Sequence, residues 1–430
     1  RKADGRRIKV PKDNYQVEVN RGKDKDAPVF SDRTTLTVVF PEVAVGDTVV
    51  FSYKIVQREA MFPGHFSISS YFPREYAYDD VRIRIDAPAS VWAQYAARDM
   101  VEKVSEQRGR KVLEWTYQHK EPLRNKRQNY SVYDVDGVPG LAYSTFRSYE
   151  DIAQAYGTRA TPKAAVTDRI RKLADEIVKD KTKPRDQAHA LYDWVAKNIS
   201  YAGHCIGVGA VVPHDVPFVL DNRMGDCKDH ATLLQALLAA KGMASIQALV
   251  NAGSAYRLPK IPVASNVNHV INYIPGLDLY VDSTSESTPF GLLPFQVADK
   301  PVLLVDGYKD GVKTPALPFG INRQSMKTAV KIAADGSATG AIDVDLKGMV
   351  AANTRAWMRH LPKDREDEMV KSVLRGGGFT GSGKIEKDDP AELLDSHRYK
   401  VNFEIRDFIT LPGAGAFHIR PLFTSEAPVH

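Results

Sequence analysis

The residues best suited to chemistry surround Cys227, in the run Gly-Asp-Cys-Lys-Asp-His at residues 225–230. An apolar stretch at 231–240 follows at once, which predicts a buried helix with the cysteine in its first turn. Asp226 can cap this helix, and a Lys-Gly pair at 241–242 provides a cation and a stop. The positive end of the helix dipole favours a thiolate, which is a nucleophile. The sequence therefore indicates an enzyme or the descendant of one.

A base for this thiol is predicted at His269, the first residue of a strand-like run at 269–273. A second such run at 278–282 ends at Asp282. If a four-residue loop is centred on the Pro-Gly pair between the runs, His269 lies directly opposite Asp282, with Cα atoms roughly 4.5–5.5 Å apart. The carboxylate can then hold one imidazole nitrogen while the other faces the thiol.

Each of these residues also has a purely structural interpretation. A cysteine before an apolar helix can be a small core residue, a strand histidine a packing residue, and an aspartate before Ser-Thr a turn former. The conjunction of the three favours the catalytic interpretation. The alternative is a catalytically relict scaffold whose β domains bind a protein or a glycan.

Three segments resemble the motifs of the transglutaminase-like superfamily, namely residues 225–231, 268–270 and 280–284. The resemblance implies a papain-like fold, with Cys227 as nucleophile, His269 as general base and acid, and Asp282 as the orienting group, and no cofactor or metal. It is nearest to bacterial proteins that place a β-rich domain of unknown function before the transglutaminase-like one. Many relatives have an aromatic residue where this chain has Ile271, which leaves the shape of the substrate groove open.

The composition is ordinary for a globular protein. The 430 residues are 43% hydrophobic and 26% charged, with a formal net charge of +6, and the length suggests two to four domains. The basic stretch at 103–127 alternates with glutamates and is interpreted as a solvated strand face, with docking of an acidic polymer or membrane surface as the alternative. No nucleic-acid module and no membrane-spanning apolar run is visible.

The chain begins without methionine or a signal-like segment, so we expect a processed product. The family resemblance favours export to a bacterial periplasm. Oligomeric state is left open by the sequence.

We expect a multidomain α+β protein. The predicted parts are an N-terminal β-sandwich at 1–158, a papain-like transglutaminase-like domain at 159–310, and a mainly β C-terminal domain at 311–430. The strands predicted in the first part from alternation and β-branched residues are 34–40, 48–57, 81–85, 91–95 and 112–117.

In the second part, apolar spacing predicts one helix after Pro162 and another that begins at Pro184. The third part is predicted to contain a hairpin about the Asp-Gly pair at 335–336, a helical stretch at 350–375 broken by Pro362, and a strand at 399–408.

The expected reaction is acyl transfer at an amide or ester carbonyl of a protein or peptide, through a thioester that passes to water or to an amine. The backbone N–H of Cys227 can stabilise the oxyanion. A second donor is required, with Asn222 or another group of the 201–222 loop as candidates. The N-terminal arm or the 252–267 loop can serve as an inhibitory lid.

Two alternatives involve the other cysteine. A disulfide between Cys205 and Cys227 would block the nucleophile, whereas the simpler interpretation makes Cys205 incidental. A metal site could use both cysteines with His204, His214 and His230, but the close ligand pairs typical of structural zinc are missing.

Overall fold

The computed structural model shows a mixed α+β chain. The residues that it describes are 1–19, 34–123, 134–203, 207–413 and 422–423.

The N-terminal part consists mainly of strands. They are β1 (Tyr15–Val19), β2 (Thr34–Val38), β3 (Ser67–Tyr71), β4 (Tyr78–Pro88), β5 (Gln94–Arg98), β6 (Val101–Gln107), β7 (Arg110–His119) and β8 (Gly140–Ser144). β1 pairs with β2, and the others form two antiparallel three-stranded sheets in the orders β3-β8-β5 and β4-β7-β6.

The two three-stranded sheets share one apolar core. Leu113 and Trp115 of β7 pack with Leu141 and Tyr143 of β8, and all four are buried. The indole N–H of Trp115 donates to Glu102 at 2.7 Å, which satisfies the one polar atom of this buried ring.

The strand predicted at 48–57 is wrong. Its residues form no strand in the described chain, and Phe51, Tyr53 and Ile55 are largely exposed. Alternating apolar residues form a strand only when a neighbouring backbone pairs along them. Thr48 exchanges two hydrogen bonds of 2.8 Å with Arg1, but in the described chain this pairing does not continue into a strand.

The central part combines helices with short strands. In order they are α1 (Tyr149–Ala160), α2 (Asp168–Val178), α3 (Pro184–Asn198), β9 (Ser200–Tyr201), α4 (Val216–Asn222), β10 (Met224–Gly225), α5 (Cys227–Ala240), β11 (Ile246–Val250), β12 (His269–Ile274), β13 (Leu279–Val281) and β14 (Val302–Leu304). The last four strands form an antiparallel sheet in the order β13-β12-β11-β14.

Helix α5 lies at the centre of this part. It packs on β12 and between α2 and α3, and its Leu233, Leu234 and Leu237 are fully buried. A helix that is apolar on all sides must be enclosed, because no face of it can meet water favourably. The fold therefore fixes the first turn of α5 as a rigid base for its side chains.

The C-terminal part is a sheet covered by two helices. Its elements are β15 (Arg323–Ile332), β16 (Ala338–Lys347), α6 (Met349–His360), α7 (Glu366–Gly376), β17 (Gly381–Lys387) and β18 (Ser396–Ile405). The sheet is antiparallel in the order β15-β16-β18-β17, and α6 and α7 pack on one face of it. The hairpin and the interruption at Pro362 lie where the sequence predicts them.

The three parts are joined by apolar contacts. The boundary expected at residue 158 falls inside α1, the first helix of the central part. Ala142 of β8, in the N-terminal part, is buried with Ile261 and Val263 of the central part. Leu393 of the C-terminal part is buried in the same apolar cluster as α2, α3 and α5. The central part is thus packed against both neighbours.

Candidate active site

Cys227 is the first residue of α5, as the sequence predicts, and its thiol is free. Asp226 caps the helix by accepting hydrogen bonds from the amides of Lys228 and Asp229, while the Asp229 carboxylate accepts from the amide of Asp226. This is a capping box with aspartate at its third helical position. None of these capping bonds uses the N–H of Cys227, so that donor lies beside the sulfur at the positive end of the helix.

His269 is the first residue of β12, and its ring is held by Asp282. Nε2 lies 2.8 Å from Oδ2 of Asp282, and only 11% of the His269 side chain and 3% of the Asp282 side chain are exposed. A carboxylate can only accept, so Nε2 carries the proton in this bond. Oδ1 of Asp282 accepts from the amide of Thr284 at 3.1 Å and from its hydroxyl at 2.6 Å. Three donors therefore fix the carboxylate.

The register predicted for this hairpin is wrong by two residues. Val281 pairs with Asn272, and Leu279 with Ile274, so Asp282 does not lie directly opposite His269. The loop does contain four residues, but its centre lies one residue later, and Asp278 ends it in the left-handed conformation with φ 46°. A shift of two residues keeps the alternation of side chains, so the two groups still share a face and meet diagonally.

The local electrostatics favour a charged imidazole. Burial by itself would lower the pKa of His269, but the Asp282 carboxylate raises it well above its ordinary value. The Cys227 thiol is close enough to the His269 ring to add to this rise through hydrogen bonding and charge. Burial raises the pKa of Asp282, yet His269 and Thr284 lower it further, and the net shift is downward. Because Nε2 is engaged by Asp282, Nδ1 is the ring atom left for the thiol.

The polar residues around the cysteine are themselves buried. Lys228 is 2% exposed and pairs with Asp226, which is fully buried. Asp229 accepts from the amide of His214 at 2.7 Å and from its Nδ1 at 3.0 Å. Burial raises the pKa of Asp229, but His214 lowers it below its ordinary value, and the same contact raises the pKa of His214. These contacts fasten the segment before α4 to the start of α5.

Two further side chains hold the segment that follows β13. His230 is 1% exposed, and its Nδ1 donates to the carbonyl of Ser283 at 2.8 Å. The hydroxyl of Tyr192 on α3 donates to the carbonyls of Asp282 and Thr288, both at 2.9 Å. Burial lowers the pKa of His230, so this ring is neutral and acts as a donor through one nitrogen. Asp282 is therefore held by its backbone as well as by its carboxylate.

Sequence reasoning missed the roles of these surrounding residues. His230 and Asp229 belong to the motif around Cys227, and their charged or polar character directly before a fully apolar helix was the available signal. Tyr192 is a fully buried core residue, and nothing in the sequence indicates its hydroxyl contacts.

The other residues considered from the sequence do not contribute to this site in the described chain. The side-chain amide of Asn222 donates to the carbonyl of Phe218 at 2.8 Å and is exposed. Ile271 is 1% exposed and packs in an apolar cluster with Ala248 and Tyr280, so it does not line the surface at the site. His204 and Cys205 lie outside the described residues. Within the described ranges, no group of three or more His, Cys, Asp or Glu residues could hold a metal ion.

The 252–267 loop is fastened to the N-terminal part. Its Ile261 and Val263 are buried against Ala142, and the hydroxyl of Tyr149 donates to the carbonyl of Pro259 at 2.8 Å. The loop therefore forms a fixed connection between β8, α1 and the strand that carries His269.

No helix in the described part of the chain has the length and hydropathy needed to cross a membrane.

Comparison with known families agrees with the motif around Cys227. Residues 171–257 match the model of the transglutaminase-like superfamily, and residues 1–124 match a domain of unknown function, DUF3857. The chain thus contains a transglutaminase-like region, preceded by a DUF3857 domain, as the sequence predicts. This superfamily and the site define a cysteine-dependent enzyme in general.

The fold is also found in a solved structure. A "putative protease" from Parabacteroides distasonis is 12% identical, with a TM-score of 0.57, and the alignment covers 94% of this chain and 81% of that one. A "putative cysteine protease" from Cytophaga hutchinsonii is 14% identical over 51% of this chain and 75% of its own, with a TM-score of 0.24. No curated protein matches the sequence.

Proposed function

We propose that this protein is a cysteine-dependent enzyme that cleaves or transfers the acyl group of an amide bond in a protein or peptide. Cys227 is the nucleophile, His269 the general acid and base, and Asp282 the orienting group. The single observation that carries the proposal is the buried His269 ring, bound by Asp282 on one side and close to a helix-start thiol on the other.

The first half of the reaction begins from an ion pair. The raised pKa of His269 favours an imidazolium at neutral pH beside the Cys227 sulfur, and the thiolate is the form of the thiol that attacks. The thiolate attacks the carbonyl carbon, and the negative charge that forms on oxygen meets the N–H of Cys227. The C–N bond then breaks as His269 gives its proton to the departing amine, which leaves a thioester on Cys227 and a neutral imidazole.

The second half releases the acyl group. Neutral His269 takes a proton from water or from an amine, which attacks the thioester carbonyl and expels the Cys227 thiolate. Water gives hydrolysis and an amine gives a cross-link, and the same three residues serve both. We propose a protein or peptide substrate because Cys227 lies in the transglutaminase-like region and a solved structure with this fold is titled a "putative protease".

We also propose a three-part layout and an exported, periplasmic location. The N-terminal part would be a β-sandwich, the central part papain-like, and the C-terminal part mainly β, with boundaries near 158 and 310. The two packed three-stranded sheets and the helix-on-sheet arrangement of α5 support this layout.

The test has two arms, both in variants that keep one cysteine. Cys205→Ser retains the proposed nucleophile, and Cys227→Ser is its matched partner. Each is incubated with a mixed peptide library, with and without a primary amine, and the products are measured by mass spectrometry. We expect hydrolysis or amine adducts with Cys205→Ser and none with Cys227→Ser.

The second arm needs no substrate. The rate of iodoacetamide alkylation of Cys205→Ser is measured at pH 6 and pH 9, and their quotient is called the rate ratio below. An ion-paired thiolate reacts at both values, whereas an unassisted thiol, with an ordinary pKa of about 8.5, loses more than 100-fold of its reactive form at pH 6 relative to pH 9. A rate at pH 6 that is more than 100-fold below the rate at pH 9 would favour the relict scaffold.

A further inference from the structure

The segment that carries Asp282 is enclosed on its far side by the C-terminal part of the chain. Arg355 of α6 is fully buried, and its Nη1 donates to the carbonyl of Ser287 at 2.6 Å. Its Nη2 donates to the carbonyl of Ser396, the first residue of β18, and to that of Leu394, two residues earlier. One guanidinium thus joins the Asp282 segment to the C-terminal sheet.

A second arginine on the same helix face repeats the contact. Arg359, one turn after Arg355, donates to the carbonyl of Glu286 at 3.2 Å and lies 3.5 Å from its carboxylate. His360 lies 3.0 Å from the same carboxylate. The end of α6 therefore contacts two successive residues of the segment.

The segment after Asp282, residues 283–288, is short and is hydrogen-bonded at both ends and in the middle. Tyr192 binds the carbonyls of Asp282 and Thr288 at its two ends, and His230 binds that of Ser283. Within it, the Thr288 hydroxyl donates to the Ser285 hydroxyl at 2.7 Å. Contacts from α3 and α5 fix the ends, and the contacts from α6 fix the middle.

Packing alone does not account for the buried guanidinium of Arg355 and its carbonyl partners. Removing an arginine from water is unfavourable, and carbonyl oxygens offset that less fully than a carboxylate does. The fork of the side chain does, however, reach three carbonyls that belong to two different parts of the chain. That geometry suits a residue that sets the position of one part relative to the other.

We propose that Arg355 is a positioning residue of the active site, which acts through the 283–288 segment on Asp282 and hence on His269. The C-terminal part is then a component of the catalytic unit and not an independent binding domain. This inference rests on the proposed function, because it concerns the same three residues.

The test measures the rate ratio defined above, in a Cys205→Ser background, for Arg355→Met and for a matched control. Arg375→Met makes the same change at an exposed arginine on α7. We expect Arg355→Met to lower the rate ratio at least about threefold, because a looser Asp282 stabilises the imidazolium less, and Arg375→Met to leave it unchanged. Thermal unfolding of each variant shows whether it is folded.

Arg355→Lys covers the case in which the methionine variant does not fold. A lysine keeps the charge but cannot present a planar fork to three carbonyls, so an intermediate rate ratio is expected. Folded variants at Arg355 with the parental ratio would overturn the positioning role and leave the proposed function standing. A parental protein that is unreactive at pH 6 would overturn both.

Discussion

The Nε2 atom of His269 and the Oδ2 atom of Asp282 are 2.8 Å apart in an environment from which water is nearly excluded. Burial disfavours a charged imidazole, and this contact is the strongest of the influences that reverse that preference. It also orients the ring, since Nε2 is taken and Nδ1 remains for Cys227. The charge state and the direction of the base thus depend on the same bond.

Asp282→Asn should therefore lower the pKa of His269, because it removes the strongest influence that opposes burial. The imidazolium would be lost at lower pH, and we expect the rate ratio to fall about tenfold or more, which corresponds to one pKa unit. Turnover of any substrate found should fall by about 10²–10⁴-fold. Iodoacetamide kinetics in the Cys205→Ser background measure the first effect.

Asp278→Asn is the control for this change. Asp278 lies in the loop of the same hairpin, accepts from the Tyr273 hydroxyl at 2.8 Å, and has a backbone conformation that asparagine tolerates. Its rate ratio should equal that of the parent. Equal effects of the two substitutions would mean that hairpin stability, and not the contact with His269, sets the reactivity.

The identity of the three residues could be predicted from sequence because each lies at an abrupt boundary. Cys227 lies just before a mainly apolar run at 231–240, His269 begins a short strand-like run and Asp282 ends the next one. The hairpin register could not be predicted, because it depends on a tight helical turn at Pro275–Leu277 followed by a left-handed aspartate. The exposed 48–57 segment shows the same limit, since alternation identifies a potential strand but not its partner.

The contacts around the site could not be predicted from local sequence patterns, because they join residues that are far apart in the sequence. Tyr192 is 90 residues from Asp282, and Arg355 is 68 residues from Ser287. Such contacts follow from how the helices pack, and a periodic apolar stripe specifies a buried face without specifying the polar atom at its edge.

Tyr192→Phe tests whether the backbone of Asp282 must be held. The change removes one hydroxyl and leaves two buried carbonyls with one donor fewer, which should destabilise the protein by about 1–3 kcal/mol. We also expect a lower rate ratio, in the same direction as for Asp282→Asn but smaller. Tyr273→Phe, which removes a hydroxyl at the protein surface, should change neither quantity. A stable Tyr192→Phe variant with normal reactivity would show that the carboxylate contacts suffice.

The buried pair of Asp226 and Lys228 should behave as a unit. Asp226→Asn keeps a side chain that can cap α5 but removes the carboxylate that pairs directly with the buried ammonium of Lys228, which leaves only the electrostatic influence of the buried Asp229. We expect the free energy of unfolding to fall by about 3–5 kcal/mol. Combining it with Lys228→Met removes the orphaned charge, so the double variant should be more stable than Asp226→Asn. Urea denaturation of both proteins measures the difference, and a double variant that is less stable than the single one would exclude this explanation.

The contact between His214 and Asp229 should make stability depend on pH with a definite sign. Asp229 raises the pKa of His214 above 6.5 in the folded protein. The stabilisation is therefore complete below about pH 6.5, the unfolded value, and is lost as the pH rises through the raised folded value. His214→Asn should destabilise the protein by about 1 kcal/mol more at pH 6 than at pH 9, a modest amount because part of the ring is exposed and screened. In an Asp229→Asn background this pH dependence should disappear, since the charge that raises the pKa is gone. Urea denaturation of the four proteins at both pH values completes the cycle, and a penalty that is equal at pH 6 and pH 9 in the parental background would show that the imidazolium is not what holds this segment to α5.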